Sequence, residues 1–402
     1  MKVIKIKNKI KNPAYKKVLH QFGMYNTNVN QTFIVPDWFV RDRLTALPDW
    51  QKHFQVKEAF DVVKPFNYEE YKKNPEGSIL VSRTGGIGDL LFFSAIIKKL
   101  NKDFPEAKIY LTTRYEYKNL PELLDCKFTF TSIPLNITNS DIKWVIFGEG
   151  MIEEPKYQDW NVYDLLADNF KIPFSDEEKR PQINVEKAID NFYLKTILKK
   201  YPQLNDTNKI KIMLHLHSTS ALRQVNFDLF NNTILTKLKD VIGEGNLFIY
   251  SANHFAIKEK NLNKKESYIK NNITLISAKN LKQLTTLVSL ADYVISVDTA
   301  VAHFAEGLNK HGLILYTNIP SYARSKYYLY MKSVEPDWED SRFLCKKPCY
   351  YHGHHVKDRC PMLPDDYDGP LFPICSNYLF TEKKQKEILN LIKQDLEKIN
   401  KN

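Results

Sequence analysis

From residue 77 onward the apolar positions fall into short runs that alternate with amphipathic stretches. "ILVS" is followed by "DLLFFSAIIKKLNKDF", then come "KIYLTT", "KWVIFGEG" and "NVYDLLADNF". Strand-length apolar runs separated by helical periodicity predict parallel βαβ units. The alternation breaks at the charged, proline-bearing "PFSDEEKRPQINV", and "KAIDNFYLKTILKKY" reads as a connecting helix. A second series then follows: "IKIMLHLH", "FDLFNNTILTKLKDVI", "NLFIYSAN", "ITLISA", "LKQLTTLVSL", "DYVISV", "TAVAHFAEGL" and "GLILYT". Two α/β domains in one chain are predicted, residues 77–185 and 186–340. Residues 1–76 are irregular and aromatic and read as an N-terminal extension; residues 341–402 carry a cysteine-rich stretch and a charged amphipathic helix.

Composition agrees with two domains of ordinary size, since the chain has 402 residues of which 43% are apolar. The net charge of +11 is partly local, because "MKVIKIKNKIKNPAYKK" holds seven lysines and no acid. Such a stretch is either a solvated arm or a surface for a polyanionic partner. No signal peptide and no run of about 18 apolar residues is visible, which places the protein in the cytoplasm, free or peripheral at the inner membrane face. Five cysteines are too few and too unevenly spaced for a secreted disulfide scaffold.

The candidate chemistry begins at "ILVSRTGGIGDLL", a strand entering a helix through Gly85, Gly86 and Gly88. A Walker A loop is excluded, because no lysine follows the glycines to reach a terminal phosphate. A dinucleotide fingerprint is only partial, because Leu91 stands at the third glycine position and no clear acid ends the next strand, so a dehydrogenase reading is weakened. Asp89 lies at the start of the helix, where the dipole favours an ionised carboxylate. It is an N-cap on one reading, and on another a base that takes a proton from a hydroxyl brought close by the glycines. In "YVISVDTAVAHFAEGL" a strand ends at Val297, and Asp298 and Thr299 form the turn. The N–H groups of Thr299, Ala300 and Val301 then face outward at a helix N-terminus, where a pyrophosphate binds well.

"LVSRTGGIGDLLFFSAIIKKLNKDFPEAKIYLTT" resembles the opening of glycosyltransferase family 9, the ADP-heptose heptosyltransferases, and "NLKQLTTLVSLADYVISVDTAVAHFAEGLNKHGLILYTNIP" resembles that family's donor-site block. The resemblance runs over roughly residues 77–325 and is weaker at "HLHSTSALRQVNF". It implies a GT-B fold, two Rossmann-like domains facing across a cleft, with the acceptor held mainly by the first and a nucleoside-diphosphate sugar by the second. It implies that Asp89 deprotonates the acceptor hydroxyl. Thr299, Ala300 and Val301 would hold the diphosphate, and Asp298 would orient the turn or touch the sugar. Ser218, Thr219 and Ser220 match the family's hydroxyl-bearing loop. Arg223, with Gln224 beside it in a loose register, stands for the family's lysine, a substitution that keeps the charge but not the geometry. Ala300 replaces the family's glycine. His303 is counted with the donor-site residues, as packing or support for the site or alternatively as a catalyst, and Glu306 and Asn318 are possible nucleotide or sugar contacts of low specificity.

The reaction so implied is a single displacement with inversion, needing preorganised donors at the leaving diphosphate and no metal or other cofactor. Near the end, Cys345, Cys349, Cys360 and Cys375 fall within 31 residues, with His352, His354 and His355 among them. In a reducing compartment this pattern suggests a structural Zn or Fe ion, or simply reduced thiols on a loop. It is similar in composition, though not in spacing, to the four-cysteine iron finger of some family members that modify autotransporters. The acceptor expected from the family is a glycan such as lipopolysaccharide core, whose phosphates suit the basic balance. Modified bases of phage DNA, or a protein, are the alternatives; a GT-B protein that binds without turnover is the reading from another class.

Overall fold

The computed structural model describes residues 1–25, 27–138, 141–148, 159–218, 220–254, 268–342, 345–350, 360, 362 and 373–399. They divide into two compact units: Met1–Pro121, Asp125–Glu154 and Asp164–Ser175 form the first, and Glu122–Leu124, Pro155–Tyr163 and Asp176–Asn402 the second.

The first unit contains β1 (Lys2–Ile6), β2 (Thr32–Val35), β3 (Phe54–Glu58), β4 (Lys64–Pro65), β5 (Ser78–Ser82), β6 (Ile109–Thr113), β7 (Thr129–Ser132), β8 (Leu135–Asn136) and β9 (Ile142–Phe147). Five of these make a parallel sheet in the order β4-β9-β5-β6-β7. Every residue of β5 is buried, as its apolar run predicts for a central parallel strand. The chain moves from β5 outward to β6 and β7, then returns to place β9 on the other side of β5. The switch point of this sheet therefore lies between the carboxyl ends of β5 and β9.

Residues 1–76 are not irregular. The strands β1, β2 and β3 join β8 in an antiparallel sheet of order β3-β1-β2-β8. One of its faces packs Ile4, Ile6 and Phe54 against Tyr15, Leu19 and Phe39. Val3 and Ile34 instead cluster with Leu80 of β5 and Val145 of β9. Burial on both sides explains why β1 keeps Val3, Ile4 and Ile6 in a segment otherwise rich in lysine.

The second unit holds β10 (Ile210–His215), β11 (Leu247–His254), β12 (Thr274–Ala278), β13 (Tyr293–Val297), β14 (Gly312–Leu315) and β15 (Met331–Val334). They form one parallel sheet in the doubly wound order β12-β11-β10-β13-β14-β15, so the switch point lies between β10 and β13.

Four helices bear on the chemistry or the packing of these sheets: α1 (Ile87–Asp103), α2 (Leu281–Leu290), α3 (Ala300–Gly307) and α4 (Glu382–Ile399). Asn280 caps α2 by accepting from the Gln283 N–H at 2.9 Å. The apolar face of α4 puts Ile388, Ile392 and Leu396 into the core that holds Tyr293 and Leu313. Both units are thus Rossmann-like layers, and among the described residues no helix is long and apolar enough to cross a membrane.

Candidate active site

In the first unit the Gly-rich turn leaves β5 at the switch point. Helix α1 begins at Ile87, ahead of Asp89, because Gly86 takes the N-cap position. Asp89 is therefore the third helical residue, and its Oδ2 accepts the Gly86 N–H at 3.1 Å. The same oxygen accepts from Arg83 Nη2 at 2.9 Å. Arg83 is 3% exposed, and its Nη1 donates to the Gly148 carbonyl at 2.6 Å. This guanidinium thus spans the switch point, from the turn after β5 to the residue that follows β9.

The three glycines divide by role. A Cβ on Gly85 would stand 2.2 Å from Asp89 Oδ2 and 2.6 Å from Arg83 Nε, so the residue is needed for close packing of the pair. A Cβ on Gly86 would meet nothing within 4 Å, which leaves that rim open for a ligand. Gly88 lies inside the first turn of α1. The Tyr117 hydroxyl has its pKa pushed up to about 12, first by burial, then by Glu116 and, in smaller measure, by Asp89. It stays protonated at neutral pH beside the carboxylate.

The second unit repeats this construction. Arg223, in the turn after β10, donates from Nη1 to the Asp298 carbonyl at 3.3 Å and lies 3.6 Å from Asp298 Oδ2. It spans the β10–β13 switch point as Arg83 spans the other. Ser218 and Ser220 lie in the same turn: Ser218 Oγ accepts the Ser220 N–H at 3.3 Å, and the Ser218 carbonyl accepts from Gln224 Nε2 at 2.7 Å. Gln224 thus closes the loop. Thr219 falls outside the described residues. Thr299 is the N-cap of α3 in extended conformation, with its Oγ1 3.2 Å from Ser296 Oγ. The N–H groups of Thr299, Ala300 and Val301 precede the first intrahelical bonds, made by Ala302 and His303 back to the Thr299 carbonyl. They are oriented outward beside Arg223, which is what an anion requires.

His303 is buried one turn into α3. Its Nδ1 lies 2.6 Å from the Tyr328 hydroxyl and its Nε2 3.7 Å from Asp298 Oδ1. Burial holds the Tyr328 hydroxyl protonated far above its ordinary range. His303 therefore supports the Asp298 turn from beneath. Glu306 does not reach a ligand: it is fully buried, and its carboxylate accepts the N–H groups of Leu329, Tyr330 and Met331, each at 3.0 Å, while pairing with Arg180 at 3.2 Å. Asn318 is also buried; its carbonyl accepts the Tyr350 N–H at 2.9 Å. Reading by motif missed Arg83, Gly148, Tyr328 and Thr317, whose Oγ1 donates to the Leu222 carbonyl at 2.6 Å and ties the end of β14 to the Arg223 turn. Arg83 alone had a local signal, a cation directly before the glycines.

The cysteines of the C-terminal segment are free thiols, with Cys360 and Cys375 buried. Burial raises the Cys345 pKa, and the neighbouring Cys360 and Cys349 raise it further. Cys375 is pushed up in the same way, by burial first and then by Cys349, Cys360 and Cys345. The four are electrostatic neighbours, yet among the described residues no three His, Cys, Asp or Glu side chains are gathered as metal ligands. His352, His354 and His355 lie outside the described residues.

Residues 236–326 match the model of glycosyltransferase family 9 (heptosyltransferase), a span that includes β13, the Asp298 turn and α3. No curated protein matches the chain. Among solved structures, the iron-containing dodecameric glycosyltransferase TibC from enterotoxigenic E. coli is 10% identical with a TM-score of 0.54, over 85% of this chain and 82% of that one. The ADP-heptose lipopolysaccharide heptosyltransferase II of E. coli is 10% identical with a TM-score of 0.45, over 80% of this chain and 99% of that one. A family 9 glycosyltransferase from Veillonella parvula is also 10% identical with a TM-score of 0.45, over 68% and 88%. The matched segment and the fold shared with TibC bear out the resemblance to glycosyltransferase family 9, and the enzyme class that goes with it is glycosyltransferase.

Proposed function

We propose that the protein moves a sugar, with inversion, from a nucleoside-diphosphate sugar to a hydroxyl of a phosphorylated glycan such as lipopolysaccharide core. The observation that carries this reading is the Asp298–Thr299 turn: three amides at a helix N-terminus, beside Arg223, at the switch point of a doubly wound sheet. The second unit would bind the donor, with Ser218, Thr219 and Ser220 contributing hydroxyls and His303 fixing the turn. The first would bind the acceptor at Gly85, Gly86 and Gly88.

Asp89 would take the proton of the attacking hydroxyl. As the acceptor oxygen bonds to the anomeric carbon, the bond to the diphosphate breaks and charge builds on the leaving group. Amide dipoles and an arginine that are already in place stabilise that charge, so transfer is proposed to need no metal. TibC has been solved in complex with ADP-D-β-D-heptose, which makes ADP sugars the first donors to try.

Cys345, Cys349, Cys360 and Cys375 are the residues that would hold a structural Zn or Fe ion. A cation there would ionise the Cys345 and Cys375 thiols, whose pKa values burial and the neighbouring cysteines raise. The protein is proposed to act in the cytoplasm or at the inner membrane face.

The test is a thermal-shift panel of ADP-, UDP-, GDP- and CMP-sugars, followed by transfer assays with the donor that stabilises the protein. Asp89→Asn is expected to keep donor binding and to lose roughly 10²–10⁴-fold in kcat. Stabilisation by none of the nucleotide sugars sinks the donor assignment, and full transfer by the variant sinks the base. A protein that binds without turnover would show no transfer in either form. DNA binding that weakens steeply with salt would move the acceptor to nucleic acid.

A further inference from the structure

Asp298 is a buried acid with an unsatisfied oxygen. Its side chain is almost fully enclosed, and Oδ2 takes no hydrogen bond. Two groups bracket the carboxylate just beyond hydrogen-bond reach: Arg223 Nη1 lies 3.6 Å from Oδ2, and His303 Nε2 lies 3.7 Å from Oδ1. An enclosed carboxylate in this state is costly, and it turns toward whichever donor can approach. It also shares its turn with the amides of Thr299, Ala300 and Val301. A swing toward a diphosphate held there would set two anions against each other.

The imidazole that faces the carboxylate is held from its other side. His303 Nδ1 lies 2.6 Å from the Tyr328 hydroxyl, and the two rings meet edge to face at 88°. Tyr328 has little freedom of its own, because the helix that carries His303 also grips the segment after the tyrosine. Glu306, one turn past His303 on α3, accepts the N–H groups of Leu329, Tyr330 and Met331, each at 3.0 Å. The Tyr328 N–H donates to the Ser325 carbonyl at 3.0 Å. One helix thus fixes both ends of the Tyr328–His303 contact. A hydrogen bond at Nδ1 settles which ring nitrogen carries the proton and how the ring is turned, and so determines what Nε2 presents to Asp298.

We infer that Tyr328 is a positioning residue for the donor turn: acting through His303, it holds the Asp298 carboxylate clear of the diphosphate amides. The inference rests on the glycosyl-transfer reading and adds to it a residue outside the donor-site motif.

The experiment uses the full chain as wild type, Tyr328→Phe, His303→Leu and the double variant. ADP, UDP, GDP and CDP are screened by thermal shift, and affinity is measured by calorimetry for each diphosphate that stabilises the wild type. Tyr328→Phe is expected to bind that diphosphate about tenfold more weakly, and to raise KM for the matching sugar donor while kcat stays within about twofold. Tyr163 also adjoins the Tyr328 hydroxyl, so the cycle with His303 is what identifies the target of that hydroxyl. The double variant should bind no more weakly than His303→Leu, since the two residues act as one unit. Nitrogen NMR of the imidazoles, with the His303 signals identified by their loss in His303→Leu, should show one fixed tautomer in the wild type and an altered or exchanging one in Tyr328→Phe. Unchanged affinity in Tyr328→Phe, or losses that add in the double variant, would overturn the inference and leave the donor assignment standing. An exchanging His303 tautomer in the wild type overturns it as well, and that result does not depend on the folding of any Tyr328 variant. A wild type that none of the four diphosphates stabilises removes the donor assignment and the inference together.

Discussion

Arg83 and Arg223 make the same move in two different sheets. Each follows a central strand, β5 or β10, and donates to a carbonyl after the strand on the far side of the switch point, Gly148 in one case and Asp298 in the other. Each also lies beside a carboxylate, so each switch point is pinned by an arginine–aspartate pair. The packing leaves no slack around the first pair. Gly85→Ala would push a methyl into Asp89 Oδ2 and Arg83 Nε, and both side chains are held by partners of their own. That substitution is expected to dislodge the pair, lowering kcat at least tenfold while donor affinity stays unchanged, with a loss of about 1–3 kcal/mol in stability. Steady-state kinetics, calorimetry with the donor and a urea titration read the three quantities. An enzyme with wild-type kcat would show that Asp89 works without its arginine. Glu306 shows the opposite outcome at this scale: an acid shortly past the Asp298 turn looks like a ligand in sequence, but it caps three backbone N–H groups in the core.

Elements are legible where their signals are local. The strands β5 and β13 are continuous apolar runs bounded by Gly-rich or Asp-Thr turns, and each feeds directly into the helix that the periodicity predicts. Asp89 and the Asp298 turn can be found for the same reason, because strand, turn and helix are contiguous. The antiparallel sheet of residues 1–58 is not legible. Its strands are short, its turns lack a hairpin signature, and β8 pairs with β2 across a long stretch of intervening chain. Bonds that cross the sheets, such as Arg83 to Gly148 or Thr317 to Leu222, leave no periodic trace either. Periodicity predicts α4 as a charged amphipathic helix, but its polar face hides one fully buried acid. Asp395 Oδ1 accepts from Lys332 Nζ at 2.6 Å, and its Oδ2 lies 3.4 Å from the Tyr293 hydroxyl. Asp395→Ala should cost about 1–3 kcal/mol by leaving the buried Tyr293 hydroxyl and the partly exposed Lys332 without their acceptor, whereas Asp395→Leu with Lys332→Met should recover most of that loss. Denaturant midpoints of the full chain decide it. Equal losses in the single and double variants would mean that α4 is held by its apolar face alone.

At the scale of the whole molecule, the two units differ in how they should meet alkali. Tyr163, Tyr250, Tyr293, Tyr316 and Tyr328 all have hydroxyls that burial holds protonated well above the ordinary range, and all belong to the second unit. Unfolding releases each to ionise near pH 10, roughly the value of a solvated tyrosine. Below that pH both states keep the proton and the contribution to stability is fully present. Above it the unfolded chain loses protons that the folded one retains, so stability falls as pH rises toward the folded values. The phenolate absorbance of these five hydroxyls is therefore expected to rise in one cooperative step. That step should coincide with loss of far-UV dichroism from the second unit, and with loss of the proposed nucleotide-diphosphate binding, because the Asp298 turn rests on the sheet that contains Tyr293 and ends at Tyr316. A titration of these hydroxyls with unchanged dichroism would mean that water reaches them in the folded state, and that the sheet beneath the Asp298 turn is less closed than its packing indicates.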